Sequence, residues 1–179
     1  NRAISTAMST AQIAERVQVF GRAAAFMKSA GFDAIEIHFG HGYGISQFIS
    51  PKTNKRTDTY GGSLHNRMRF ALEVLAAVRV AVGEDFPLFG KISMTDGVPG
   101  GVTYEDSLEI AKLLERGGID VIICSGGTSS FNPMLLFRGK NIRDGIMRQQ
   151  KSAFMRLGVR MAGSMLFKDY PYEELFFLE

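Results

Sequence analysis

Apolar positions in this chain follow two different periods. Three short runs, residues 34–38, Leu88–Ser93 and Val121–Ser125, are five or six residues long and mostly aliphatic, the length and character of buried strands. Between them the apolar residues recur every three or four positions. Ile13, Val17, Phe20, Ala24 and Met27 form one such stripe, and Ser9 with Gln12 three residues later provides a capping-box start for it. A second predicted helix opens near Ser63 and carries Ala71, Leu75, Val78 and Val82 on one face. A third opens at Thr103, with Glu105 and Asp106 in the first turn, where the helix dipole favours negative charge. Its predicted apolar face is Leu108, Ala111, Leu113 and Leu114.

An internal repeat sets the architecture. Ala30-Gly31-Phe32-Asp33-Ala34-Ile35-Glu36-Ile37 matches Gly117-Gly118-Ile119-Asp120-Val121-Ile122-Ile123-Cys124 in pattern: a helix stopped at Gly, an Asp, then a buried strand. Strand, helix and strand within about 30 residues is the spacing of parallel βαβ units. The fold class is therefore α/β, either a doubly wound sheet or a (β/α)8 barrel. A closed barrel takes about 250 residues, so on the barrel reading 179 residues with three strands form a partial one. After Ser125 the pattern breaks, and residues 128–179 read as a loop and helical excursion within a single partial domain, 1–179. Residues 141–167 predict an irregular helix whose stripe of Phe154, Leu157, Met161 and Met165 packs on its own barrel or a partner subunit rather than on a membrane. The start at Asn1 rather than Met, and the apolar cluster over 170–178, suit a piece of a longer protein, truncated at both ends.

Composition narrows the function. The 21 Lys and Arg against 18 Asp and Glu leave a net charge of +3, too mild for nucleic acid. Hydrophobic residues at 45% and charged residues at 22% exclude intrinsic disorder. Twenty glycines forecast many tight turns and close backbone approaches. The one cysteine, Cys124, rules out an internal disulfide framework, places the protein by default in the cytoplasm, and reads as a core residue on the third strand. No apolar run approaches the roughly 20 residues of a membrane helix.

Reactive groups in parallel βα folds gather at the C-terminal ends of the strands. That rule selects His38, His41 and Tyr43 after the first strand, Lys91 and Ser93 on the second, and Ser125, Gly126 and Gly127 after the third. Alternation puts Glu36 and His38 on one strand face, and Lys91 with Ser93 on the matching face of the next. A carboxylate there needs a partner, and Lys91 is the obvious one for Glu36. In His38-Phe39-Gly40-His41-Gly42-Tyr43, two imidazoles and a phenol provide two donors for one oxygen and a separate proton source. Two other readings stand beside it. The histidines of a Gly-rich loop can simply satisfy backbone groups, or they can bind a metal, for which no third ligand beyond Glu36 is in reach of the pattern. Residues 50–67 have no regular period; their four clustered cations, with Asp58 nearby and a helix start at Ser63, read as internal scaffold rather than a phosphate site.

Taken together, Ala30 to His38, His41-Gly42-Tyr43, Ser46-Gln47-Phe48-Ile49-Ser50-Pro51, Asn54, Arg56-Thr57-Asp58, Tyr60-Gly61-Gly62-Ser63, Asn66-Arg67, Pro99-Gly100-Gly101-Val102-Thr103 and Ser125-Gly126-Gly127 resemble the old yellow enzyme family of FMN-dependent NAD(P)H:flavin oxidoreductases. The resemblance implies a (β/α)8 TIM barrel with FMN across its C-terminal mouth, the three strands here being the fourth to sixth. It implies that His38 and His41 bind the carbonyl oxygen of an activated alkene such as an enone, and that Tyr43 protonates the α-carbon after hydride arrives from a flavin reduced by NAD(P)H. It also implies flavin contacts at Lys91, Ser125 and Gly126. Many members carry arginine where this chain has Lys91, which keeps the charge and loses the planar fork. Phe39 and Gly40 stand where small residues are common and reshape the substrate pocket. The family holds the FMN phosphate with its last two βα units, outside these 179 residues, so the isolated fragment is expected to bind FMN weakly and to be inactive, the activity and any homo-oligomer belonging to the full-length parent. Two further readings remain open: a barrel lyase or aldolase using Lys91 as a Schiff-base nucleophile, and a non-catalytic, degenerate barrel fragment.

Overall fold

The computed structural model describes residues 6–132, 135, 149 and 152–166. Chain order runs α1 (Thr10–Ser29), β1 (Ile35–His38), α2 (Gly44–Ile49), α3 (Leu64–Val82), β2 (Leu88–Ser93), α4 (Tyr104–Arg116), β3 (Val121–Ser125) and α5 (Ala153–Leu166). The strands form a parallel sheet in the order β1-β2-β3. Its register pairs Ile35 with Leu88, His38 with Lys91, Lys91 with Ile123, and Ser93 with Ser125.

Local chemistry explains the element boundaries. Ser9 and Gln12 make the reciprocal capping box that starts α1. Ser63 and Thr103 accept from the third backbone amide of α3 and α4. The core forms where α3 packs between α1 on one side and α2 and α4 on others, burying Met68, Ala71, Val74, Leu75 and Val78. The aliphatic strand residues Ile37, Leu88 and Ile92 complete it from the sheet.

Residues 50–63 form the scaffold that their composition suggests. Arg56 grips Asp58 through both nitrogens of one fork edge, at 3.0 and 2.5 Å, and donates to the Met8 carbonyl at 2.7 Å. Asn54 ties the Phe48 and Tyr60 carbonyls together. Gly61 passes so close to the Arg56 carbonyl that any Cβ would lie 2.0 Å from its oxygen, so the position is closed to every other residue.

Several expectations change. The first strand starts at Ile35, one residue later than its apolar run. The six-residue α2, with Ile45, Ser46, Phe48 and Ile49 buried, has no signature in the periodicity because it is shorter than two turns. On α4 the buried residues are Ser107, Ile110 and Leu114, while Leu108 is 63% exposed. Cys124 is exposed, which overturns its reading as core. β3 is an edge strand, and Val121 and Cys124, of opposite alternation, are both uncovered. In α5, Phe154, Leu157 and Met161 are exposed, so that part of the predicted stripe is not packed against the described residues. The Met165 side chain and residues 141–148 lie outside the described residues. No helix among the described residues is long and apolar enough to cross a membrane.

At the N-terminal end of the sheet, Arg79 donates to the carbonyls of Gly83, Glu84, Phe86 and Gly118 and to Asp120, which in turn accepts from the Leu88 amide. One guanidinium thereby joins the end of α3 to the entries of β2 and β3. Arg79→Ala is expected to lower stability by about 2–3 kcal/mol in urea unfolding, because it strips several partly buried acceptors of their donor. Arg79→Lys should recover less than half of that, since an ammonium cannot span the same five acceptors.

Candidate functional site

The sheet register assembles one continuous face from residues distant in sequence. By alternation, Glu36, Phe89 and Val121 form its first row, His38, Lys91 and Ile123 its second, and Ser93 and Ser125 its third. Lys91 Nζ lies 2.7 Å from Glu36 Oε1, the pairing that the strand pattern predicts.

The chain leaves β1 and folds back over the end of β2. The Phe39 amide donates to the Lys91 carbonyl at 2.9 Å, and the Phe39 side chain is buried. A Cβ at Gly40 would sit 2.9 Å from Ser93 Oγ, so the close crossing there requires glycine. His41 then adopts a left-handed backbone, φ 64°, the only non-glycine residue described with positive φ. Its amide donates to Ser93 Oγ at 3.0 Å, its ring Nε2 lies 2.7 Å from Ser125 Oγ, and its carbonyl accepts from the Ser129 amide at 2.9 Å. The next amide, Gly42, donates to Ser46 Oγ at 3.0 Å. His41 is thus held by backbone and ring at once and is only 7% exposed.

This turn brings three rings together. The His38 and His41 centroids are 4.8 Å apart, and those of His38 and Tyr43 are 5.7 Å apart. Tyr43 caps α2 and is 53% exposed, so its phenol is open to an incoming molecule. Burial lowers the pKa of His41 to about 4, reinforced by the His38 and Lys91 charges and opposed by Glu36. His38 is lowered by burial and then by Lys91, again against Glu36. Both imidazoles are neutral at pH 7, each with one N–H to donate.

Of the residues singled out in the sequence, His38, His41, Tyr43, Lys91 and Ser125 converge here. Gly126 is buried at the same loop, and Gly127 follows in the left-handed region and donates to the Thr95 carbonyl at 2.8 Å. The Ser125 hydroxyl is engaged by His41, so what it can offer a flavin directly is reduced. Ser46 and Thr128 hold the turn from α2 and the loop after β3, roles that arise only when the loops meet. The metal reading gains nothing, since no group of three or more potential ligands occurs among the described residues. A cavity of about 360 Å3 lies away from these rings, between residues 6–8 and the 53–56 segment.

The NADH:flavin oxidoreductase / NADH oxidase family model matches residues 1–129. The chain belongs to this family. It is 43% identical over 164 residues to a 4,4'-dithiodibutanoate disulfide reductase of Rhodococcus erythropolis, covering 90% of this chain and 40% of that protein. It is 47% identical over 125 residues to an NADH oxidase of Thermoanaerobacter brockii, covering 70% and 19% respectively. Among solved structures, a 2-naphthoyl-CoA reductase bound to 2-naphthoyl-CoA matches with a TM-score of 0.69 at 31% identity, over 90% of this chain and 23% of that one. Morphinone reductase in complex with tetrahydroNAD matches with 0.61 at 28% identity, over 82% and 39%. The chain therefore spans well under half the length of these relatives. The structural neighbours are TIM-barrel reductases, and a three-stranded parallel sheet with its helices is consistent with part of such a barrel.

Family membership brings FMN, with NADH or NADPH as its reductant. The donor set fits the flavin ring: a cation at Lys91 on an open sheet face, flanked by hydroxyls and neutral imidazoles, suits a flat ring that becomes anionic on reduction. The lyase or aldolase alternative loses its basis, because the family carries flavin chemistry.

The His41 environment also predicts a pH dependence. Below about 6.5 the unfolded chain protonates this histidine, whereas the folded chain resists doing so until about pH 4. Its contribution to stability is complete above that window and falls as the pH drops through it. Urea unfolding between pH 7 and 4 should therefore show a shallower loss for His41→Gln than for the unsubstituted protein.

Proposed function

We propose that the parent protein is an FMN-dependent reductase of activated alkenes, taking electrons from NAD(P)H and delivering them to an enone or a similar electrophile. The observation that supports this most is the cluster of His38, His41 and Tyr43 at the end of β1, beside the Lys91 cation. Bound FMN supplies hydride to the alkene after reduction by the nicotinamide.

The chain's own residues supply the rest. His41 keeps one ring nitrogen available while Ser125 holds the other, and the His38 ring makes no side-chain hydrogen bond among the described residues. Two neutral N–H donors aimed at one carbonyl oxygen stabilise the negative charge that develops there. Because His41 is fixed at backbone and ring, little reorganisation accompanies that charge. Tyr43, exposed and 5.7 Å from His38 between centroids, delivers the proton to the α-carbon as general acid. Lys91 would hold the flavin's pyrimidine edge, with Ser125 and Gly126 lining the ring. In this reading the three strands are the fourth to sixth of a barrel, residues 128–179 are an excursion from it, and the parent works in the cytoplasm.

The test is reduction and reoxidation of the full-length, FMN-loaded protein, followed by flavin absorbance. NAD(P)H should bleach the flavin, and an enone should restore its colour. Tyr43→Phe is expected to slow enone reoxidation by roughly 10²–10⁴-fold while leaving NAD(P)H reduction close to normal. His38→Ala should slow it by roughly 10²–10³-fold. A flavin that NAD(P)H bleaches but no enone reoxidises would overturn the alkene reading and leave the family assignment intact.

A further inference from the structure

Behind the His41 turn lies a carboxyl group that the proposed chemistry does not use. Asp96 is 0% exposed. Its Oδ2 accepts from Ser50 Oγ at 2.5 Å and from the Val102 amide at 2.8 Å, pinning α2 to the loop between β2 and α4. Gly101 is required for this approach, since a Cβ there would lie 2.6 Å from the Asp96 side chain. The other oxygen, Oδ1, has no partner among the described residues.

A second buried group is left half-satisfied in the same place. Ser46 is 3% exposed, and its Oγ accepts from the Gly42 amide. No protein acceptor for its hydroxyl proton occurs among the described residues, whereas the neighbouring Ser93 hydroxyl has one in the Gly127 carbonyl at 3.3 Å. Ser46, Ser93 and Asp96 line a pocket of about 10 Å3 together with Phe39, Ile92 and Ile110. A single water needs roughly 10–15 Å3 of such space and two to four polar partners. A residue with an unpaired acceptor and a residue with an unpaired donor line one pocket of that size.

We propose that this void is a binding site for one ordered water, which accepts the Ser46 hydroxyl proton and donates to Asp96 Oδ1. Ser46 then has its lone pair turned to Gly42 N–H, and Asp96 becomes a positioning residue for the left-handed His41–Gly42 turn. That the turn matters for catalysis rests on the role proposed above for His41; the water and its effect on the Gly42 amide do not.

A crystal structure of the full-length, FMN-loaded protein, at a resolution that shows ordered water, tests the site directly. The expected result is one water within hydrogen-bond distance of both Asp96 Oδ1 and Ser46 Oγ. A dry void, or a protein group bonded to Oδ1, overturns the proposal. Amide hydrogen exchange tests the coupling. Asp96→Asn keeps an oxygen for Ser50 and Val102 but presents N–H groups where Oδ1 stood, so the water can no longer donate there. Exchange at Gly42 should rise roughly tenfold in Asp96→Asn and in Ser46→Ala, and rise no further in the double variant. Wild-type exchange in Asp96→Asn, or effects that add in the double variant, would refute the coupling. Neither readout requires enone turnover. A protein with this water and this cycle but no enone activity upholds the inference and sinks the functional reading, and the reverse result does the opposite.

Discussion

The register of β2 against its two neighbours is the constraint on which the site depends. Lys91 stands opposite both His38 and Ile123, and Ser93 stands opposite Ser125. A one-residue slip of β2 would send Lys91 and Ser93 to the helix-facing side and bring aliphatic residues to the mouth. The burial of Leu88 and Ile92 in the helix-side core opposes that slip, so packing on the oily face positions the polar one. The Glu36–Lys91 pair depends on the same alignment, as does the reach of both serines to His41.

The loops above the sheet are fixed by polar bonds rather than by apolar volume. Asn54 and Arg67 each satisfy two carbonyls, Arg56 joins the Asp58 carboxylate to the Met8 carbonyl, and Arg67 alone joins the end of α2 to Gly62 and to Asp106 of α4. Such a frame holds α2 against α3, and α2 presents Ser46 to the turn and Tyr43 to solvent. Rigid support of this kind is what a site needs when its donors must be in place before charge develops.

Much of this was legible in the sequence. Aliphatic runs located all three strands among the described residues, and Ser9, Ser63 and Thr103 marked helix starts because capping is a local interaction between residues three apart. The pairing of Glu36 with Lys91 followed from alternation and the need to neutralise a carboxylate. What escaped is non-local or too short to carry a period. Leu108 appeared inward because helical spacing cannot say which side of α4 meets the sheet, and the buried Ser107 lies one position away. The aliphatic company of Cys124 suggests core, but coverage of an edge strand depends on what packs beside it, and Cys124 is exposed. The work of Ser46, Ser93 and Asp96 depends on contacts across 4 to 52 residues that no single-sequence pattern encodes.

The backbone at His41 limits which residues can ever occupy that position. At φ 64° most side chains crowd their own carbonyl, and β-branched ones most of all. Glycine would relax the turn but bring no donor. Aspartate tolerates the conformation, yet its ionised side chain only accepts. Asparagine alone combines ease in the left-handed region with N–H groups, on a shorter side chain than the imidazole. Variation at this position is therefore channelled by two independent filters, one conformational and one chemical, and histidine and asparagine are the pair that passes both.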